Sequence, residues 1–212
     1  MERLVRTTYH PLIMASILLL IAGSRILRLN GLELDIDEIW TIWQTFGSPR
    51  EIIAWTPYDW PPLHYLLLGG WKELAGIHPV AARYFSVLIL LPGIALVYRV
   101  FRRDAGQSAG LLAMLAYAAM SYMMILSVLV RGYIIVASLL PLALWLAQRY
   151  FHRPTVIRGV LLGATMATMF YTHLTSVLAF AALGLYTLVV FPRQVWRWWL
   201  PGLTAALLAL PL

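Results

Sequence analysis

The stretch Pro61–Gly76, "PPLHYLLLGGWKELAG", sets how often the chain crosses the membrane. It is apolar enough to be counted with the other apolar runs of the chain. It also opens on two prolines, carries a Gly-Gly pair in its middle, and holds His64, Lys72 and Glu73 beside Tyr65 and Trp71. Aromatic and long polar side chains favour the headgroup zone over the hydrocarbon. This stretch is expected to lie in the membrane interface and not to cross.

Further apolar runs fall at 11–29, 80–98, 108–127, 132–148, 158–171, 174–191 and 199–212. Mean hydropathy is +0.78, only 12% of residues are charged and 61% are hydrophobic. Such a chain is a polytopic helical membrane protein, because helices and closed barrels alone satisfy backbone polar groups in lipid. No alternating short segments suggest a barrel. If 61–76 crossed, Arg99, Arg102 and Arg103 would fall opposite Arg3 and Arg6, against the positive-inside rule. With 61–76 horizontal, ten of the sixteen basic residues share one face, from Arg3 and Arg6 to Arg193 and Arg197. Seven of the nine acids take the other; only Glu2 and Asp104 stay behind. The expected fold is therefore all-α, with about seven transmembrane helices and a cytoplasmic amino terminus. Residues 30–79 form one extracytoplasmic loop with juxtamembrane amphipathic helices.

The net charge of +7 carries no nucleic-acid signal, because the basic residues sit in short clusters between apolar runs. No cysteine is present, which removes thiolate zinc sites and thiol nucleophiles. The amino terminus has a basic start and an apolar core, as a signal peptide does, but is read as an uncleaved anchor. The carboxyl end stops within an apolar run, which suggests truncation. Residues 1–212 are read as a single module without internal repeats.

Within the loop, Ile36, Ile39, Trp40, Trp43 and Phe46 recur at helical spacing. Asp37, Glu38, Thr41, Gln44 and Thr45 fill the other face. An amphipathic helix on the membrane is expected, ended by Gly47-Ser48-Pro49, with a second short helix over 49–55. Four of the nine acids, Glu33, Asp35, Asp37 and Glu38, cluster where the loop begins. Arg131 and Tyr133 stand at the next outer turn, and Thr172 and His173 at the one after. Ionisable groups near a bilayer are costly, so those away from the cytoplasmic side are functional candidates. Carboxylates, arginines and a histidine at one level suit a reaction on a lipid-borne anionic substrate: arginine holds phosphate and carboxylate takes a proton.

Each candidate has a plainer reading. Asp37 and Glu38 also serve as helix-capping acids, Asp59 as a turn former and His64 as an interface residue. Arg131 also fits a lipid anchor, and His173 a packing residue. Asp35 and Asp37 have the spacing of a divalent-metal pair, Mg or Mn, although hard cations want more oxygen ligands.

In order, "LRLNGLELDIDEIW", "PPLHYLLL", "AARYFSVL", "RGY" and "YTHL" resemble the GT-C superfamily of membrane glycosyltransferases. The resemblance is to the polyprenyl-phosphate-sugar-using branch, which includes protein O-mannosyltransferases, lipid A aminoarabinose transferases and rhizobial lipopolysaccharide core transferases. It implies sugar transfer from a polyprenyl-phosphate donor to a glycan, lipid or protein acceptor on the extracytoplasmic face of the inner or plasma membrane. It further implies inversion, with Asp37 as general base and Glu38 beside it. Arg131 and Arg28 would hold the donor phosphate, and Asp59, His64, Tyr133 and His173 would line the pocket. The rival expectation is a non-catalytic subunit of the same fold, scaffolding a larger complex with a partner subunit.

Overall fold

The computed structural model describes residues 2–31, 33–57 and 60–210, with side chains from residue 11 onward. Among the described residues all regular structure is helical. The helices are α1 (Glu2–Ile26), α2 (Ile36–Trp43), α3 (Pro49–Trp55), α4 (Leu63–Ala75) and α5 (Pro79–Ala119). They continue with α6 (Ser121–Leu126), α7 (Tyr133–His152), α8 (Val156–Thr172), α9 (Ser176–Val190) and α10 (Trp199–Ala209). A 3-10 segment, Pro192–Trp198, joins the last two.

Two helices, α5 and α7, are long and apolar enough to cross a membrane, and shorter apolar helices cover Pro11–Ile26, α8 and α9. α5 is not straight. Gly106 sits at φ 87°, a left-handed conformation open to glycine at no steric cost. In a continuous helix, residues 98 and 110 would be about 18 Å apart. Instead a Cβ placed on Gly110 would lie 2.9 Å from the Tyr98 carbonyl oxygen. The chain therefore reverses at Gly106, and α5 is a hairpin of two arms packed on α7. The reversal falls in the gap between the apolar runs 80–98 and 108–127.

Close backbone approach fixes the far side of the bundle. Gly159 and Gly163 lie four apart on α8 and face Leu200, Pro201 and Thr204 of α10. Small residues at this spacing let membrane helices meet backbone to backbone. A Cβ on Gly163 would sit 2.5 Å from the Pro201 carbonyl oxygen. Gly163→Val should thus force the two helices apart and destabilise the chain by about 1–3 kcal/mol. Thermal unfolding in detergent reads this, and an unchanged midpoint would contradict the packing described.

The loop helices follow from local chemistry. Asp35 caps α2: its carboxylate accepts from the Ile36 N–H, while Glu38 reaches back to the Asp35 N–H. Ser48 caps α3 with Pro49 in the first turn and Glu51 reaching back in the same manner. Both are capping boxes. α4 spans about 20 Å, short of the roughly 30 Å hydrocarbon core. His64 and Trp71, seven residues apart on α4, both have rings within 6.4 Å of the Phe85 ring centroid. Trp71 also donates to the Ala81 carbonyl at 2.8 Å. α4 therefore lies across the first turns of α5.

α2 is turned inside out relative to a soluble helix. Ile36, Ile39, Trp40 and Trp43 are exposed, whereas Glu38 and Thr41 are buried, as are Gln44 and Thr45 just beyond. Trp43 stacks on Trp55 of α3 at 5.0 Å, so α2 and α3 present a shared aromatic outer edge. This suits an interfacial helix whose outer row meets lipid.

Candidate functional site

The site is built around two consecutive residues of α2. Glu38 points inward and is 1% exposed. Its two carboxylate oxygens accept from Arg83 Nε at 3.0 Å and Arg83 Nη2 at 2.6 Å, and one also accepts from the Val130 N–H at 3.0 Å. Arg83, equally buried, donates further to the carbonyls of Leu29 and Glu33. One buried ion pair thus ties together α2, α5, the turn after α1 and the loop before α7.

That tie sets the next contact. Glu38 binds Val130, so the preceding acid, Asp37, meets the following base, Arg131. Their charged atoms are 3.1 Å apart, with Asp37 about half exposed and Arg131 about one-fifth. Arg131 also stands 5.6 Å from the Tyr133 ring centroid, and Tyr133 packs on the His173 ring at 4.1 Å. Gly132 between them lets the backbone press on Thr172 and His64, where a Cβ would meet the Thr172 carbonyl at 3.0 Å.

These groups surround a cavity of about 310 Å³ lined by Thr41, Trp60, His64, Tyr65, Arg131, Tyr133 and His173. Its size is at the low end of small-ligand pockets, which run about 300–1,000 Å³. Trp60 and Tyr65 stack nearly parallel at 6.4 Å and form an aromatic wall. His173 accepts the Thr175 N–H at Nδ1, so in the neutral ring Nε2 carries the proton. Burial, then the Arg131 charge, lowers the His173 pKa.

His64 is buried, and its ring nitrogens complete no hydrogen bond of ordinary geometry. Burial first, then Arg131 and His173, push it down to about 3; the Val130 backbone acts weakly the other way. An unfolded chain would take up a proton here below about pH 6.5, whereas the folded chain stays neutral. Stability present above pH 6.5 should therefore drain as pH falls toward 3, at up to about 1.4 kcal/mol per unit for this one group. Melting temperatures between pH 7 and 4 should fall less steeply in His64→Asn than in the parent. Equal slopes would show that His64 is not held neutral.

The structure places the sequence candidates as follows. Arg131, Tyr133, His64 and His173 share the cavity, and Asp37 joins it through Arg131. Glu38 does not stand free beside Asp37; it is buried in the Arg83 pair. Arg28 is exposed on the turn after α1 and is not among the cavity-lining residues. Asp59 lies outside the described residues. Asp35 and Asp37 fit a divalent cation poorly. The Asp35 carboxylate caps α2, Asp37 is paired with an arginine, and no third metal-binding side chain joins them among the described residues.

Arg83, Tyr65, Trp60 and Thr41 contribute to the site without standing among the sequence candidates. Arg83 carried a usable signal, since an arginine early in an apolar run on the acid-rich side must find a carboxylate.

A family model described as dolichyl-phosphate-mannose-protein mannosyltransferase matches residues 59–212, well over half of the chain. The match takes in α4 through α10 and begins after α2, so it covers Arg131 and His173 but not Asp37. No curated protein and no solved structure matches.

Proposed function

Because the chain belongs to the dolichyl-phosphate-mannose-protein mannosyltransferase family, we propose that it transfers a sugar from a polyprenyl-phosphate donor to an extracytoplasmic acceptor. The observation that carries the proposal is the Asp37–Arg131 pair, whose arginine lines an aromatic-walled cavity of about 310 Å³.

The chemistry divides between the two partners. Arg131 binds the donor phosphate, since guanidinium and phosphate pair strongly. The Trp60–Tyr65 wall receives the sugar ring, and His173, kept neutral, hydrogen-bonds to its hydroxyls, while the buried His64 ring forms part of the cavity floor. The acceptor hydroxyl attacks the anomeric carbon from the face opposite the phosphate. The new carbon–oxygen bond forms as the sugar–phosphate bond breaks, with inversion. Binding of the donor phosphate draws Arg131 out of its ion pair with Asp37; the freed carboxylate takes the hydroxyl proton, and polyprenyl phosphate leaves with its negative charge held by Arg131. No step here is assigned to a metal.

The arrangement in the bilayer is part of the same proposal. α1, the two arms of α5, and α7 to α10 make seven crossings, with the amino terminus cytoplasmic. α2, α3 and α4 lie at the outer interface. This is supported by the separation of charge between the bundle's ends. Asp37, Glu38, Arg131 and His173 gather at one; Arg99, Arg102, Arg149 and Arg197 gather at the other.

The test is direct. The chain is reconstituted in vesicles with a radiolabelled sugar on polyprenyl phosphate and a mixture of membrane glycan, lipid and protein acceptors. Label should leave the donor in step with the amount of chain. Label that stays on polyprenyl phosphate at every acceptor composition overturns the assignment.

A further inference from the structure

A second cavity lies at the opposite end of the bundle, between α1, the first arm of α5, and α7. It has a volume of about 530 Å³ and is lined by Met14, Tyr98, Arg99, Arg102, Trp145 and Arg149, among others. From its construction we infer that it is a binding site for the phosphate headgroup of an anionic phospholipid.

The arginines are oriented by aromatic rings. Arg99 and Arg149, from different helices, both stand over the Trp145 ring, at 5.2 and 4.8 Å from its centroid. Arg102 stands 5.7 Å from the Tyr98 ring. Cation–π contacts of this kind hold a guanidinium in place without neutralising it. Arg103, which also lines the cavity, has a carboxylate partner, the exposed Asp104 at 3.7 Å, which also accepts from Gln148. Among the described residues, Arg99, Arg102 and Arg149 form no ion pair with a carboxylate. Two like charges sharing one indole repel, and a phosphate between them reverses the sign of that interaction.

The remaining wall tells lipid from soluble phosphate. Met14, Ala95 and Leu96 continue the cavity as an apolar surface. A free anion gains nothing from such a wall; an acyl chain lies along it. The inference rests on this end sitting at the headgroup level of a bilayer, as the family reading requires, but not on sugar transfer.

The experiment uses the full chain in nanodiscs of mixed phosphatidylglycerol and phosphatidylcholine. After extraction, lipid that stays bound is counted by native mass spectrometry. Arg99→Gln with Arg149→Gln should lower retained phosphatidylglycerol about tenfold or more. A control with Arg153→Gln and Arg193→Gln removes the same charge at the same end, outside the cavity, and should retain it. Met14→Trp keeps every charge but fills the apolar part, and should also lose the lipid; it decides the matter if the double arginine variant misfolds. Equal loss in the control, no phosphatidylglycerol on any version, or complete displacement by inorganic phosphate would each overturn the inference. Sugar transfer in the first assay is independent of all three outcomes.

Discussion

Asp37→Asn should lower sugar transfer by roughly 10²–10⁴-fold, the span typical of a lost general acid or base, while leaving the fold in place. Asparagine keeps the shape of the side chain but cannot accept the acceptor's proton. The structural cost is small, because the Asp37–Arg131 pair is substantially solvent-exposed on the Asp37 side, and such pairs contribute at most about 1 kcal/mol. Transfer measured at saturating donor, alongside the melting temperature of the same preparation, separates chemistry from folding. A variant that melts like the parent and transfers at full rate would remove Asp37 as the base. A variant that loses transfer only with a large drop in melting temperature would show Asp37 to be structural.

The second large effect is on stability. Arg83→Met should cost about 3–5 kcal/mol, because Glu38 would be left charged and unpaired in a site that is 1% exposed. For a chain of this length that corresponds to a fall of roughly 6–20 °C in melting temperature. The double change Arg83→Met with Glu38→Leu should recover much of the loss, since an apolar pair of similar volume needs no partner. A shift within a degree or two for the single variant would mean that Glu38 is not committed to Arg83. The loop would register the change too: Val130 loses its acceptor when Glu38 moves, and Arg131 moves with it.

Much of this architecture was legible because it is local. The apolar period from Ile36 to Phe46 gave α2, and Ser48, Pro49 and Glu51 gave the start of α3. The prolines, paired glycines and polar residues of 61–76 marked a short helix, found as Leu63–Ala75. Arg131, Tyr133 and His173 stood out as polar residues at the ends of apolar runs, and they line one cavity.

What was not legible depends on distance along the chain. Glu38 and Arg83 are 45 residues apart, and nothing local says that Glu38 turns inward while Asp37 turns toward the cavity. The two acids are neighbours in sequence and opposites in environment. Asp35, whose spacing from Asp37 suggested a metal pair, is used up by its own helix start, which competes locally for the same oxygens.

The reversed faces of α2 bear on any attempt to work with this chain in water. The usual recipe exchanges outward apolar residues such as Ile36, Ile39 and Trp40 for charged ones. Here the inward row, with Glu38, Thr41, Gln44 and Thr45, is already hydrophilic. The recipe would leave a helix with no contrast between its two sides, and so no cue for which way to face. It could then rotate about its own axis, swinging Glu38 away from its arginine. Detergent, not redesign, is the route that preserves this helix's orientation.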